Sequence, residues 1–477
     1  MTTKTTGTYN TKVRLEPSEQ RFILVFGDFL AASIALLIAL YVWASGDTWY
    51  RFSVEFLKYR APAWFYLLPV IWLILLVDTY DTRKSANLRQ TLRGIGLVFL
   101  ISVIIYLVIY FAVEPNSLPR LGVAVFAVGA TLLTLLWRLI YVHTISSVSR
   151  QQRVLIVGAG KAGTALVEII SELDPPPFKL IGLIDDDPAK LNTNIQGFPI
   201  LGNHESMAEI ITNQGITDLI LAISNEMNHG MFQSILTAQE DGINLTTMTD
   251  TYESLSGRVP IGLLESDWVV RAFLDRTPTS GFYRIAKRLM DLILGLVGLI
   301  ALALLSPLIA LVIYMDSGRP VIFTQKRLGR GGRPYTIYKF RTMRSRSDME
   351  KEALVTSTND PRVTRIGKFL RKSHLDELPQ IINVLQGEMS FVGPRSERIE
   401  LVRVFQKEVP FYRARMLVKP GITGWAQIHQ AYAETIEETA TKLQYDLYYI
   451  EHASIWMDLI SCCAPLAPFW GSKDANS

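Results

Sequence analysis

Cysteine is nearly absent from this chain: its 477 residues hold two, Cys462 and Cys463, side by side near the end. Adjacent cysteines offer no disulfide framework, and metal-ligating cysteines come in spaced pairs, so a disulfide-stapled fold and a zinc module are both excluded. Charge is scarce as well, at 19%. With 49% hydrophobic residues and a mean hydropathy of +0.22, the chain is too apolar for an ordinary soluble protein, and part of it is expected to sit in lipid. The polar start, Met1 to Gln20, shows no small-residue cleavage site before the first apolar run, so no removable signal peptide is expected. Acid is missing altogether from Arg319 to Arg346, where nine Lys or Arg stand among Phe323, Tyr335, Tyr338 and Phe340. Such a run suits a solvated face, a membrane surface or an anionic substrate. Nucleic acid is not expected as a partner.

Long apolar runs are plentiful. Residues 22–45, 62–79, 95–113 and 120–142 are each about long enough to cross a hydrocarbon core of roughly 30 Å. Four transmembrane helices are therefore expected over 22–145, after a cytoplasmic tail at 1–21. The connections carry four cations before the first helix, three and four in the next two loops, and none in 114–119, which favours a cytoplasmic N-terminus. Asp28 falls inside the first helix, where a charge at the bilayer centre would cost about 3 kcal/mol, so it belongs near the interface or inside the bundle.

From 150 to 260 the pattern changes to alternating strands and helices. Val154 to Ile170 runs from an apolar strand through Gly158, Gly160 and Gly163 into a helix, and Asp185 follows where it could face a ribose hydroxyl. NAD or another nucleotide is one reading; a Rossmann-like module that keeps the turn for packing is the other. The module lacks an active-site Tyr and Lys. The two Tyr-x-x-x-Lys matches, Tyr283 to Lys287 and Tyr335 to Lys339, lie more than 100 residues past the turn, which weighs against an NAD-dependent nucleotide-sugar dehydratase.

After a linker at 261–281 comes a fifth apolar segment, Met290 to Met315. Its 26 residues would span about 39 Å as a straight helix. Arg284, Lys287 and Arg288 precede it and the nine-cation run follows, so a full crossing would place one basic cluster on the wrong side. Pro307 cannot donate to the carbonyl of Ala303, and Ser306 beside it can supply a local bond, so a break is expected there. The segment 282–315 reads as a re-entrant helix that dips into one leaflet, with a kinked spanning helix as the alternative.

The richest stretch for chemistry is His374 to Glu397. It contains an adjacent acid pair, Asp376 and Glu377, with Arg371 five residues before Asp376 and Arg395 nineteen after it. Paired carboxylates repel unless a cation or a proton offsets them, and guanidiniums are the usual partners of phosphate oxygens. The pair reads either as a metal-assisted phosphoryl site or as a helix N-terminus with Pro379 in its first turn. Lys339 and Arg341 could meet phosphate too. For a diphosphate substrate, Asp376 and Glu377 would supply an oxygen ligand for Mg²⁺ (or Mn²⁺) and a carboxylate able to attack phosphorus.

Several motifs together resemble the bacterial sugar transferases, monotopic phosphoglycosyl transferases. They are Ser306-Pro307, KFRTM at Lys339 to Met343, LDELPQ at Leu375 to Gln380, NVLQGEMSFVGPR at Asn383 to Arg395, KPGITGWAQ at Lys419 to Gln427 and YDLYYI at Tyr445 to Ile450. Ser396, following Gly393-Pro394-Arg395, departs from the proline often found there. The N-terminal helices and Rossmann-like module resemble the long subgroup, which includes undecaprenyl-phosphate glucose and galactose phosphotransferases. That resemblance implies a membrane α/β protein: a four-helix transmembrane bundle, a Rossmann-like module and an α-rich catalytic domain over 316–477 with interfacial helices. It also implies UDP-hexose and undecaprenyl phosphate as substrates, bacterial inner-membrane lipids as surroundings, and a catalytic domain on the cytoplasmic face. Asp376 would take the phosphosugar covalently and release UMP, Glu377 would help hold Mg²⁺, Arg371 and Arg395 would contact substrate phosphates, and Pro307 would hold the hairpin. Asp446 reads as a structural hydrogen-bonding residue. A homodimer, the choice of hexose and a non-catalytic scaffold for polysaccharide assembly stay open.

Overall fold

The computed structural model describes residues 17–46, 49, 51–80, 85, 88–112, 120–144, 152–173, 176–223, 227–263, 281–344, 362–430 and 435–463. The chain divides into two compact units, Met1–Met248 and Thr249–Ser477. Most of the expected linker at 261–281, and Phe469 and Trp470 near the C-terminus, lie outside the described residues.

In the first unit, Pro17–Ser45, Leu88–Ala112 and Arg120–Thr144 are helices of 29, 25 and 25 residues. At 1.5 Å per residue each exceeds a hydrocarbon core of about 30 Å. The expected second span, 62–79, is not one helix. It forms a 3-10 turn at Ala63–Leu67, an eight-residue α-helix at Leu68–Leu75 and a second 3-10 turn at Val77–Tyr80. Pro69 in the first turn of the α-helix explains its late start, because proline fits there and not further inside.

Asp28 is fully buried between helices. Arg138 donates to its carboxylate from Nη2 at 2.6 Å and Nε at 3.1 Å, and turns Nη1 to the carbonyl of Thr79 at 3.0 Å. One ion pair thus ties Pro17–Ser45 to Arg120–Thr144 and to the broken segment. Removing one partner of such a pair typically costs about 3–5 kcal/mol, since the other is left buried alone. Arg138→Met should therefore destabilise the unit by about that much, and adding Asp28→Asn should recover most of the loss. Thermal unfolding of both variants in detergent measures the difference; equal losses would contradict the pairing.

The Rossmann-like module follows. Its strands are β1 (Arg153–Val157), β2 (Lys179–Ile184), β3 (Asn194–Ile195), β4 (Phe198–Gly202), β5 (Asp218–Leu221) and β6 (Asn244–Thr247), in the order β3-β4-β2-β1-β5-β6. All pairs are parallel except the β3–β4 hairpin. Burial on both faces gives the near-continuous apolar strands of the centre, with Leu155, Ile156 and Val157 fully buried. The chain order reverses at β1, where the glycine turn sits.

The second unit is built around the helix Gly281–Ser317. It runs for 37 residues, without interruption at Ser306 or Pro307, so the expected hairpin does not appear as two helices. Proline removes a single hydrogen bond, and the flanking apolar residues continue the helix across that gap. Both ends are anchored on the same body. Near the start, Arg288 donates to the carbonyls of Val384 and Leu385 at 2.8 and 2.9 Å, and Asp291 accepts from the Phe391 amide at 3.0 Å. At the far end, Arg341 donates to the carbonyls of Ser317, Gly318 and Arg319. Between them Val297, Leu304, Leu308 and Leu311 are exposed.

That body contains the antiparallel hairpin β7 (Ile322–Leu328) and β8 (Pro334–Phe340), which turns through Gly331 and Gly332 at positive φ. Short helices at Arg365–Lys372 and Ile381–Gln386 flank a 3-10 turn at Leu375–Gln380. The strands β9 (Ser390–Val392) and β10 (Gly421–Thr423) pair in parallel. The helix Ile436–His452 closes the main core with Leu443, Leu447 and Ile450.

Candidate active site

The acid pair lies on the 3-10 turn Leu375–Gln380, entered through His374 in the left-handed region at φ 54°. Asp376 and Glu377 are both buried, each 8% exposed. Two buried charges side by side require compensation, and the chain supplies it unequally. Lys339, from β8, donates to Glu377 Oε1 at 2.7 Å. Arg395, from the turn after β9, donates to the same oxygen at 2.5 Å and to Oε2 at 3.3 Å. Among the described residues none hydrogen-bonds the Asp376 carboxylate.

The two acids are therefore driven apart. Burial and the neighbouring charge of Glu377 push the Asp376 carboxyl above its ordinary range, against Lys339, Arg371 and Arg395. Burial would raise Glu377 as well, but Arg395 and Lys339 overcome it and hold that carboxyl far below its ordinary range. Glu377 is a fixed anion, whereas Asp376 is a more basic carboxylate with open lone pairs. This division is the one expected of an electrostatic anchor beside a nucleophile or base.

The other expected residues are placed differently. Arg371 turns Nε to Thr342 Oγ1 at 3.0 Å, and its charge is among those that favour ionisation of Asp376. Arg341, expected at phosphate, spends its guanidinium on the carbonyls at the end of the long helix instead. Lys339, two residues earlier and on β8, does reach the acid pair, at Glu377. Asp446 pairs with Arg415 at 2.7 Å, which fits a structural role.

Sequence reasoning missed what stands behind Arg395. Arg415 donates to the Arg395 carbonyl at 2.9 Å, and Arg327 donates to the Ser396 carbonyl at 2.6 Å. Glu397 pairs with Lys442 at 2.8 Å. Glu397 and Asp446 sit in or beside recognisable motifs, but Arg415 lies in a plain 3-10 turn, Tyr412–Leu417, and carries no local signal. The Tyr283–Lys287 spacing is structural too: both reach Asp458, at 3.1 and 2.6 Å.

A divalent cation fits the donor set. Asp376 offers free oxygens, and a carboxylate has about four lone-pair sites, of which the bonds to Glu377 use three. Asp376 and Glu377 are the residues that would hold it.

In the Rossmann-like module, Gly158 adopts φ +108°, where a side chain would also meet the Ala222 carbonyl, and a Cβ on Gly163 would strike the Gly158 carbonyl. Gly160 faces open space. Asp185, expected to face a ribose, folds onto the turn: it accepts from the Ala159 amide at 2.7 Å, the Asp187 amide at 2.9 Å and Lys190 at 3.0 Å. Partial burial opposes ionisation there, but these bonds hold its carboxyl below the ordinary range.

Residues 282–466 match the family described as bacterial sugar transferase. The chain is 39% identical over 180 residues to the exopolysaccharide production protein PSS of Rhizobium leguminosarum bv. phaseoli, an alignment covering 37% of this chain and 90% of that protein. The chain belongs to the bacterial sugar transferase family. Residues 75–247 match a second family, described as CoA-binding domain. Two further relatives match over part of their length. UDP-N-acetylgalactosamine-undecaprenyl-phosphate N-acetylgalactosaminephosphotransferase of Aeromonas hydrophila is 43% identical over 211 residues, covering 44% of this chain and 48% of the relative. UDP-glucose:undecaprenyl-phosphate glucose-1-phosphate transferase of Xanthomonas campestris pv. campestris is 36% identical over 274 residues, covering 55% of each. The chain thus spans about half the length of these two sugar transferases.

The ion pairs behind Arg395 predict a pH signature. Burial alone would push the Glu397 carboxyl up, but Lys442, Arg415 and Arg327 hold it down at about 2, against an ordinary 4.5. A depressed carboxyl contributes stability that is complete above pH 4.5 and lost as the pH falls toward 2. Glu397→Gln should therefore be less stable at neutral pH and show a flatter fall in stability across that window. Unfolding midpoints recorded from pH 7 down to about 2.5 test this; parallel curves would contradict it.

Proposed function

We propose that the protein transfers a hexose 1-phosphate from a UDP-hexose to undecaprenyl phosphate, giving undecaprenyl-diphosphate-sugar and UMP. The observation that carries this reading is the division of labour in the acid pair, with Glu377 neutralised by Lys339 and Arg395 and Asp376 left open to attack. An Asp376 oxygen attacks the phosphorus that bears the sugar. The bond from that phosphorus to the bridging oxygen breaks, the electron pair leaves with UMP, and an acyl phosphate carrying the sugar remains on Asp376. An oxygen of the lipid phosphate then attacks the same phosphorus and releases the carboxylate. When bound, Mg²⁺ would screen the charge of the diphosphate.

A covalent route suits substrates from two phases, because a lipid phosphate and a water-borne nucleotide sugar need not be held at one moment. The relatives' names support the substrate classes, and the family supports the reaction type. The anchoring of both ends of Gly281–Ser317 on one body supports a re-entrant placement, with the apolar middle in one leaflet of the bacterial inner membrane and the site on its cytoplasmic face. The self-engaged Asp185 favours a packing role for the glycine turn.

Without lipid acceptor, purified protein given UDP-hexose should release about one UMP per active site in a rapid-quench burst, and Asp376→Asn should fold yet release none. A strict need for lipid before any UMP appears would overturn the covalent route.

A further inference from the structure

Away from the acid pair, three ligand-bearing side chains converge at the end of the helix Ile436–His452. Glu451 and His452 are its last two residues, and Glu253 reaches them from the helix Met248–Ser256. One ligand atom from each lies within 4.8 Å of the other two. Glu253 and Glu451 are buried, at 3% and 8% exposed, while His452 borders solvent. All three belong to the second unit. Direct bonds already hold their carriers together: the Val259 amide donates to the Gln444 carbonyl at 3.1 Å, and Trp425 Nε1 donates to the Gly257 carbonyl at 2.8 Å.

The imidazole decides what this cluster suits. Nδ1 of His452 lies 3.2 Å from the carbonyl of Tyr448, which can only accept, so Nδ1 carries a proton. The ring also stacks on Tyr448, with centroids 4.4 Å apart. Held in this way, His452 leaves Nε2 at 3.6 Å from Glu253 Oε2. That gap is too long for a direct hydrogen bond, which needs about 2.7–3.2 Å. It matches the edge of a tetrahedron around Zn²⁺, about 3.4 Å for bonds of about 2.1 Å. A metal-ligating histidine ordinarily donates its other ring N–H to a carboxylate, a backbone carbonyl or water, and here the carbonyl of Tyr448 takes it. The helix C-terminus adds negative potential at Glu451 and His452, and a divalent cation relieves both that and the burial of two carboxylates.

We infer that Glu253, Glu451 and His452 form a divalent-cation site that takes Zn²⁺, with water as the remaining ligand on the exposed side of His452. An imidazole among carboxylates favours zinc over magnesium, which prefers oxygen ligands alone, so the site differs in chemistry from the acid pair Asp376 and Glu377. The bound ion fastens the helix that carries Glu253 to the helix that closes the main core.

The test uses the full-length protein in detergent with Cys462→Ser and Cys463→Ser, so that no thiol competes for metal. The protein is stripped with chelator and dialysed against buffered zinc in excess Mg²⁺, which keeps Asp376 and Glu377 supplied. Metal analysis should find about one zinc per chain, and His452→Asn should lose it. Cobalt in place of zinc should show the visible bands of four-coordinate ligation in the parent and none in His452→Asn. Zinc should also raise the thermal unfolding midpoint of the parent and leave that of His452→Asn unmoved, while the two metal-free proteins unfold alike. A parent without zinc, as a direct pair between a protonated His452 and Glu253 would give, overturns the inference. So does zinc retained in full by His452→Asn.

Discussion

A carboxylate cannot be buried alone, and the catalytic unit is organised around the one that had to be neutralised, Glu377. Lys339 comes from a hairpin strand, Arg395 from the turn after a short parallel strand, and Glu377 from a 3-10 turn between two helices. Their meeting joins three separate parts of the chain at one point. It also makes the neighbouring position usable. With Glu377 held as an anion by two cations, Asp376 can be buried beside it with a raised proton affinity and open lone pairs. Burial and the Glu377 charge push Asp376 up, while at Glu377 the charges of Arg395 and Lys339 outweigh burial and hold it down.

Support for that point extends outward in layers. Arg415 and Arg327 hold the carbonyls of Arg395 and Ser396, and Asp446, Glu397 and Lys442 complete a buried charge network behind them. On the other side, Arg341 uses its fork to cap the last carbonyls of the long apolar helix, while Arg288 and Asp291 clamp its first turns to the strand and helix that precede Arg395. An apolar helix fastened at both ends to one polar body couples the depth of that helix to the position of the acids.

Local chemistry was legible in the sequence where spacing alone decides geometry. Gly158 and Gly163 announced the turn between β1 and its helix, and the adjacency of Asp376 and Glu377 announced a charge problem in need of cations. Lys339 and Arg395 stood out in the basic run and the Gly-Pro-Arg turn, but as cations for substrate phosphate, and the structure engages both with Glu377. What failed depended on tertiary reach. Lys339 lies on β8 and Arg341 just past its end, so nothing in the local pattern tells which of the two reaches the acids and which the carbonyls. The segment 62–79 is apolar enough to read as a span, but composition does not reveal that its helix starts only at Leu68 and stops at Leu75. Pro307 was expected to break a helix that its neighbours in fact continue. The partner of Asp28 lies 110 residues away, and no local pattern marks Arg138.

The proposed covalent route places one sugar phosphate on Asp376. The most direct measurement is therefore peptide mapping by mass spectrometry after acid quench of the protein with UDP-hexose and no lipid acceptor. A mass increment of one hexose phosphate on the peptide carrying Asp376 is the expected result. Release of UMP with no increment, or with the increment on a peptide lacking Asp376, would contradict the assignment.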